Sequence, residues 1–241
     1  MTAYLTRPDK PALAYRYRPG RGPTIVFLPG YRSDMGGGKA TALDAWAGRT
    51  GRAMLRLDYV GCGASEGDFE DGTLDLWLGD VLDAIDAFAP TGPLLVVGSS
   101  MGGWLALLVA LRLGRVQALV GIAAAPDFTE WDFDDEKRAR LATDRRIEEA
   151  GDYGEPHVTT HGFWQSGQAN LLLDGEIAFD GPVRLLHGQM DDVVPVSIAL
   201  RASRALRSAD VQTILIKDGD HRLSRDADIA LLIATVAALL E

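Results

Sequence analysis

The sequence predicts an α/β protein, with a mostly parallel, doubly wound sheet of about eight strands and a small helical cap. Three observations predict it. Short apolar runs rich in Val, Leu and Ile alternate with longer helical patterns along most of the chain. One such run, residues 94–98, passes through Gly98-Ser99-Ser100-Met101-Gly102 into a long stretch rich in Leu and Ala. From about residue 126 to 181 the alternation breaks, over a span too long for a connecting loop. The 241 residues suit one domain, 1–241, with the cap as an insertion at 126–181.

Taken in order, residues 4–6 and 13–17 are candidate strands separated by a turn containing proline. Leu13, Tyr15 and Tyr17 alternate with Ala14 and Arg16, so the second strand has one exposed face. Residues 24–28 form a buried strand that ends at Pro29-Gly30-Tyr31-Arg32; a Gly-rich loop and a helix over 39–50 follow. The next strand, 53–58, leads into a turn holding Gly61, Gly63 and Gly67. Residues 74–88 are amphipathic and helical, with Leu74, Leu78, Val81, Leu82 and Ile85 on one side. The central strand 94–98, a buried helix running from Trp104 and a strand over 118–123 come next.

In the cap, residues 127–136 are acidic with Phe128, Trp131 and Phe133 interleaved. Residues 136–149 read as a charged helix, and 157–173 as a second short helix carrying Phe163 and Trp164. Strands at 183–187 and 212–217 and helices at 197–206 and 226–240 complete the chain. In such a fold the ligand crevice lies at the carboxyl ends of the strands.

Composition narrows the function. Hydrophobic residues make up 47% of the chain, enough for a sizeable core, and the net charge of −10 argues against nucleic acid or an anionic membrane as partner. Cys62 is the single cysteine, so no intramolecular disulfide can form. The chain does not open on a cationic segment with an apolar run behind it, and no run is long enough to span a bilayer. A cytoplasmic setting is therefore expected.

The chemistry centres on Ser100. In G-x-S-x-G a sharp strand-to-helix turn lifts the central hydroxyl above the sheet edge in a strained conformation. The following helix points its N-terminus at the site, where developing negative charge is stabilised. A phosphate-binding turn is the rival reading, but the glycine spacing does not fit G-x-G-x-x-G and no Walker lysine follows. A nucleophilic serine needs a base, and the base needs a group that fixes its tautomer. His221 follows the strand at 212–217, and Asp191 and Asp192 follow the strand at 183–187. Asp191 is favoured as the acid because it comes first after Gly188; Asp192 is its solvated or helix-capping neighbour. His187 reads as structural, packed beside the acid loop. Met101 and Tyr31 are expected to offer backbone N–H groups as an oxyanion hole. Arg32, Trp104, Phe128, Trp131, Phe163 and Trp164 are the expected substrate pocket. The turn at 61–67 is read as structural, with Asp58 and Ser65 satisfying its amides. No metal site and no cofactor are expected.

Phe27-Leu28-Pro29-Gly30-Tyr31, Val97-Gly98-Ser99-Ser100-Met101-Gly102-Gly103-Trp104, Arg184-Leu185-Leu186-His187-Gly188-Gln189-Met190-Asp191-Asp192-Val193-Val194-Pro195 and Asp220-His221-Arg222, in the chain order Ser, Asp, His, resemble an α/β-hydrolase-fold serine hydrolase. Within that fold they are similar to the group of mitochondrial palmitoyl-protein thioesterases that also act as acyl-glucuronide esterases. The resemblance implies Ser100, Asp191 and His221 as the triad. It also implies hydrolysis of carboxylic esters or thioesters, of a small molecule or an acylated protein. The alternatives are a peptidase or carbon–carbon bond hydrolase on the same fold, or an inactive binding protein. Oligomeric state is left open between monomer and dimer.

Overall fold

The computed structural model describes residues 2–149 and 157–241. Its main sheet has eight strands: β1 (Ala3–Arg7), β2 (Lys10–Arg18), β3 (Arg21–Leu28), β4 (Arg52–Leu57), β5 (Leu94–Ser99), β6 (Val116–Ile122), β9 (Val183–Gly188) and β10 (Val211–Ile216). Their spatial order is β1-β2-β4-β3-β5-β6-β9-β10. β1 and β2 run antiparallel to their neighbours, and from β4 through β10 the pairing is parallel. Every residue of β5 is buried, which is why it reads as an unbroken apolar run at the centre of the sheet.

Helices cover both faces. α1 (Gly38–Thr50) and α8 (Asp226–Ala238) pack Ala40, Leu43, Ala47, Leu232 and Val236 onto one face, against Ile25, Leu95 and Val120. On the other face lie α2 (Leu74–Phe88), α3 (Met101–Arg112) and α7 (Val196–Ala205). Trp77, Trp104, Leu105 and Ile198 fill the core there. Losing either tryptophan to alanine removes about 3–5 kcal/mol of burial and packing. The order of strands reverses at β3 and β5, so the chain leaves these two neighbours in opposite directions and opens a crevice at their carboxyl ends. Leu28 pairs with Gly98 across that pair, which sets Pro29-Gly30-Tyr31 beside Ser99-Ser100.

Between β6 and β9 the chain leaves the sheet. The excursion holds α4 (Phe128–Trp131), α5 (Asp135–Asp144), β7 (Arg146–Glu149), β8 (His157–Thr160) and α6 (His161–Ala169). It is not wholly helical as expected, because β7 and β8 form a two-stranded antiparallel ribbon. The helix expected over 136–149 stops at Asp144, where Arg145 takes a left-handed conformation with φ 63°. The helix expected from 157 begins at His161, since the Thr160 side chain accepts from Phe163 N–H and caps it there.

Candidate active site

Ser100 caps the N-terminus of α3 with φ 52° and ψ −120°, a region that non-glycine residues occupy only under constraint. The constraints are visible. Ser100 N–H donates to Ile122 O at 2.9 Å, and its carbonyl accepts from Gly103 N–H at 2.8 Å and Ala125 N–H at 3.1 Å. The turn also requires its glycines. A Cβ on Gly98 would lie 2.1 Å from Gly102 O, and one on Gly102 would lie 2.1 Å from Leu28 O.

The loops after β9 and β10 bring the partners. Met190 N–H donates to Gly219 O at 2.9 Å, and a Cβ on Gly188 would lie 2.2 Å from that same oxygen, so the two loops touch. His221 Nδ1 lies 3.0 Å from Asp191 Oδ2, and His221 Nε2 lies 3.2 Å from Ser100 Oγ. Asp191 Oδ1 accepts from Val193 N–H at 2.9 Å and Val194 N–H at 2.8 Å. Burial of this carboxyl pushes its pKa up, but His221 and the two amides outweigh that and hold it below the usual carboxylate range. An ionised carboxylate only accepts, so the proton between the two side chains sits on His221 Nδ1 and the Nε2 lone pair faces the serine hydroxyl. Asp192 is exposed on the solvent side of the loop.

Met101 is the first residue of α3, and the N–H groups of a first helical turn lack intrahelical acceptors. Gly30 sits against Ser100, where a Cβ would approach Ser100 Cβ to 3.2 Å. The loop that carries it is pinned from below by Tyr59 Oη donating to Pro29 O at 2.9 Å. Tyr31 pins it from above, donating its hydroxyl to Val158 O of β8 at 2.7 Å. The Tyr31 ring lies among Phe69, Trp77, Phe128 and Phe163, and burial pushes its phenol pKa up.

Ser100 and His221 open into a cleft of about 340 Å³. The excursion supplies one wall through Phe128, Trp131 and Phe133, and the acid loop adds Val193 and Val194. Of the six residues expected in the pocket, Phe128 and Trp131 line this cleft. The other expected pocket residues lie elsewhere. Trp104 is fully buried behind the wall, donating Nε1–H to Asn170 O at 3.0 Å with its ring on Phe128. Phe163 is buried in the aromatic layer beneath Tyr31. Trp164, one position on, turns to the small cluster of Phe133, Leu141 and Ile147. Arg32 has φ 55°, which swings its guanidinium over the Phe69 ring at 4.9 Å and into a neighbouring surface depression.

The sequence reading did not include the charged part of the cleft. Lys39 and Arg222 both line it, and Lys39 Nζ donates to the Arg222 carbonyl. Burial lowers the Lys39 pKa. Lys137 also lines the cleft, 2.7 Å from a Glu149 carboxylate oxygen and 4.3 Å from the Phe133 ring centre. Residue 222 is adjacent to His221, and position 39 opens a helix below the same sheet edge; those placements were the available signals.

The glycine turn at 61–67 is a structural element. Asp58 accepts from Met35 N–H at 2.6 Å and Ala64 N–H at 2.9 Å, and Ser65 Oγ donates to Asp58 O at 2.7 Å. Cys62 is buried there. Burial first, then Asp58 and Asp80, push its thiol up to about 12, which leaves it a poor nucleophile.

A strained serine at a strand-to-helix turn, with Asp and His just past the ends of β9 and β10, defines a class, and the chain belongs to it: residues 25–239 match the alpha/beta hydrolase family. Among curated relatives, human palmitoyl-protein thioesterase ABHD10, mitochondrial, is 38% identical over 99% of this chain and 80% of its own length. A protein of Agrobacterium vitis S4 has a crystal structure that superposes with a TM-score of 0.93 at 39% identity, covering 100% of this chain and 99% of its own. The mouse alpha/beta hydrolase domain-containing protein 10 gives 0.92 at 37% identity, covering 99% of this chain and 98% of its own. These relatives correct one expectation. The human, cattle and orang-utan proteins are all named as mitochondrial, so the cytoplasmic setting does not stand. Among the described residues no helix is long and apolar enough to cross a membrane.

Proposed function

We propose that this protein hydrolyses carboxylic esters or thioesters through a covalent acyl-serine intermediate, in the manner of an acyl-protein thioesterase or acyl-glucuronide esterase. The observation that carries the reading is the unbroken contact from Asp191 through His221 to Ser100, opening into a cleft with an apolar wall. The relatives named palmitoyl-protein thioesterase support an acyl substrate.

In this mechanism Ser100 Oγ attacks the substrate carbonyl as its proton passes to His221 Nε2. The new oxyanion takes hydrogen bonds from the N–H groups of Met101 and Tyr31 at the positive end of α3; one such donor is worth about 2.7–4 kcal/mol in the transition state. The tetrahedral intermediate collapses, the C–S or C–O bond breaks, and His221 returns its proton to the leaving thiol or alcohol. Water then attacks the acyl-serine with His221 as base, releasing the acid and restoring Ser100. Asp191 stays ionised throughout, orienting His221 and stabilising its charged form. Phe128, Trp131, Phe133 and Val193 receive the acyl chain, and the polar leaving group faces Lys39 and Arg222.

A panel of p-nitrophenyl esters, acyl-cysteine thioesters and matched anilides tests this. Turnover of the first two, little of the anilides and none in Ser100→Ala is expected. Faster turnover of the anilides would favour a peptidase.

A further inference from the structure

β9 ends in a histidine that this mechanism does not use. His187 is 1% exposed, and its Nε2 lies 2.8 Å from Val194 O. A carbonyl only accepts, so Nε2 carries the proton and donates it. His187 Nδ1 is buried without a hydrogen-bond partner among the described residues; a bare lone pair there is cheaper to bury than an unpaired N–H. The same Nε2 is 3.4 Å from Asp191 Oδ2.

Val194, held by its carbonyl, donates its own N–H to Asp191 Oδ1. The other carboxylate oxygen faces His221. The Asp191 side chain is 0% exposed, so these neighbours set its orientation. A single file of contacts thus runs His187, Val194, Asp191, His221, Ser100. It starts on β9, a strand paired on both sides in the parallel sheet, rather than in a loop.

We propose that His187 is a positioning residue for Asp191. Its Nε2–H anchors residues 191–194, and through them it keeps the Asp191 carboxylate aimed at His221. This rests on Asp191 being the acid of the mechanism above. Without the anchor the Val194 carbonyl is released, the loop relaxes and Asp191 Oδ2 moves off the His221 Nδ1 axis. A misplacement of about 1 Å at a reacting group costs up to about 10²-fold in rate. His187 touches no substrate, so its loss acts chiefly on kcat; KM changes only through Val193, one of several groups on the acyl wall, and stays near the wild-type value.

The test is a double-mutant cycle on ester hydrolysis, with thermal unfolding of each variant to verify folding. His187→Leu removes the donor, and His187→Asn keeps a polar side chain too short to reach Val194 O. His187→Gln places an amide N–H near the Nε2 position. The Leu and Asn variants are expected to lose roughly 10- to 100-fold in kcat with KM within about twofold, and Gln to recover most of the loss. In an Asp191→Asn background the same His187 substitutions should cost less than about twofold, because the group they act through is gone. Where Leu does not yield folded protein, Asn is read in its place. Equal losses in both backgrounds, a loss carried by KM, or no recovery with Gln would overturn the positioning role while leaving Asp191 in place. An active Asp191→Asn enzyme would remove both.

Discussion

His221 Nε2 and Ser100 Oγ lie 3.2 Å apart although 121 residues separate them in sequence. The approach is produced by the sheet: β5 and β10 stand three strands apart, with β6 and β9 between them, and all four point their carboxyl ends the same way. The loop after each strand then needs only a few residues to reach the common edge. Strand order, rather than any local feature of either loop, brings the base to the hydroxyl.

In the proposed mechanism the acid is Asp191 and not its neighbour. Asp191→Asn should lower kcat by on the order of 10⁴-fold, as loss of the orienting carboxylate does in the Ser-His-Asp template. Asp192→Asn, at an exposed position, should stay within about twofold, as surface changes do. Steady-state kinetics on one ester separates them, and a damaging Asp192→Asn would reassign the acid.

The cleft wall should read acyl-chain length. Each methylene buried against Phe128 and Trp131 adds up to about 0.8 kcal/mol. In a p-nitrophenyl series kcat/KM should climb from acetyl to medium chains, and Trp131→Ala should flatten the climb. Trp164→Ala should lower Tm and keep the wild-type profile, because Trp164 does not itself line the cleft and packs in the cluster of Phe133, Leu141 and Ile147. A flattened profile in the Trp164 variant with an unchanged one in the Trp131 variant would reverse the two assignments.

Cys62 should be silent. With its thiol pushed up to about 12 and its side chain buried, iodoacetamide at pH 8 should label the unfolded chain readily and the native protein slowly. Cys62→Ala should keep full turnover. Rapid native labelling that abolishes activity would contradict this.

Acid stability carries a further signature. Arg225 donates to both oxygens of Asp228 and holds that carboxyl below its usual range. A depressed pKa contributes stability that is present above the unfolded carboxylate value, about 4, and is lost as pH falls through the lower folded value. Asp228→Asn should therefore lose about 1 kcal/mol at pH 7, the size of a helix-cap contribution. It should also show a smaller drop in Tm between pH 5 and pH 2 than the wild type. Equal acid slopes would show that the pair does not stabilise the fold.

Much of this arrangement was legible in the chain. β3, β5, β6 and β9 are largely buried, so they appear as short Val- and Leu-rich runs, and Ser100 and Asp191 each stand just past such a run; His221 follows β10, the half-exposed edge strand. The cap was harder. In Arg146–Glu149 only Ile147 is buried, and three charged residues out of four conceal a strand that exists through its pairing with β8. Phe163 and Trp164 differ by about 100° around α6, and nothing in their order tells which one faces the aromatic layer until the helix is seated. Arg32 illustrates a similar limit: its left-handed backbone, invisible in the residue type, turns the side chain away from the cleft. Lys39 belongs to no apolar pattern, and only the three-dimensional placement of α1 brings it to the cleft.

The central claim is that Ser100 is the nucleophile, and covalent labelling tests it most directly. Native protein would be treated with a fluorophosphonate, digested, and the modified peptide sequenced by mass spectrometry, alongside Ser100→Ala. The account predicts a single adduct on Ser100, complete loss of esterase activity in step with labelling, and a folded Ser100→Ala variant that takes no label and has lost on the order of 10⁴-fold or more in kcat. An adduct on another residue, or near wild-type turnover in the folded Ser100→Ala variant, would contradict it.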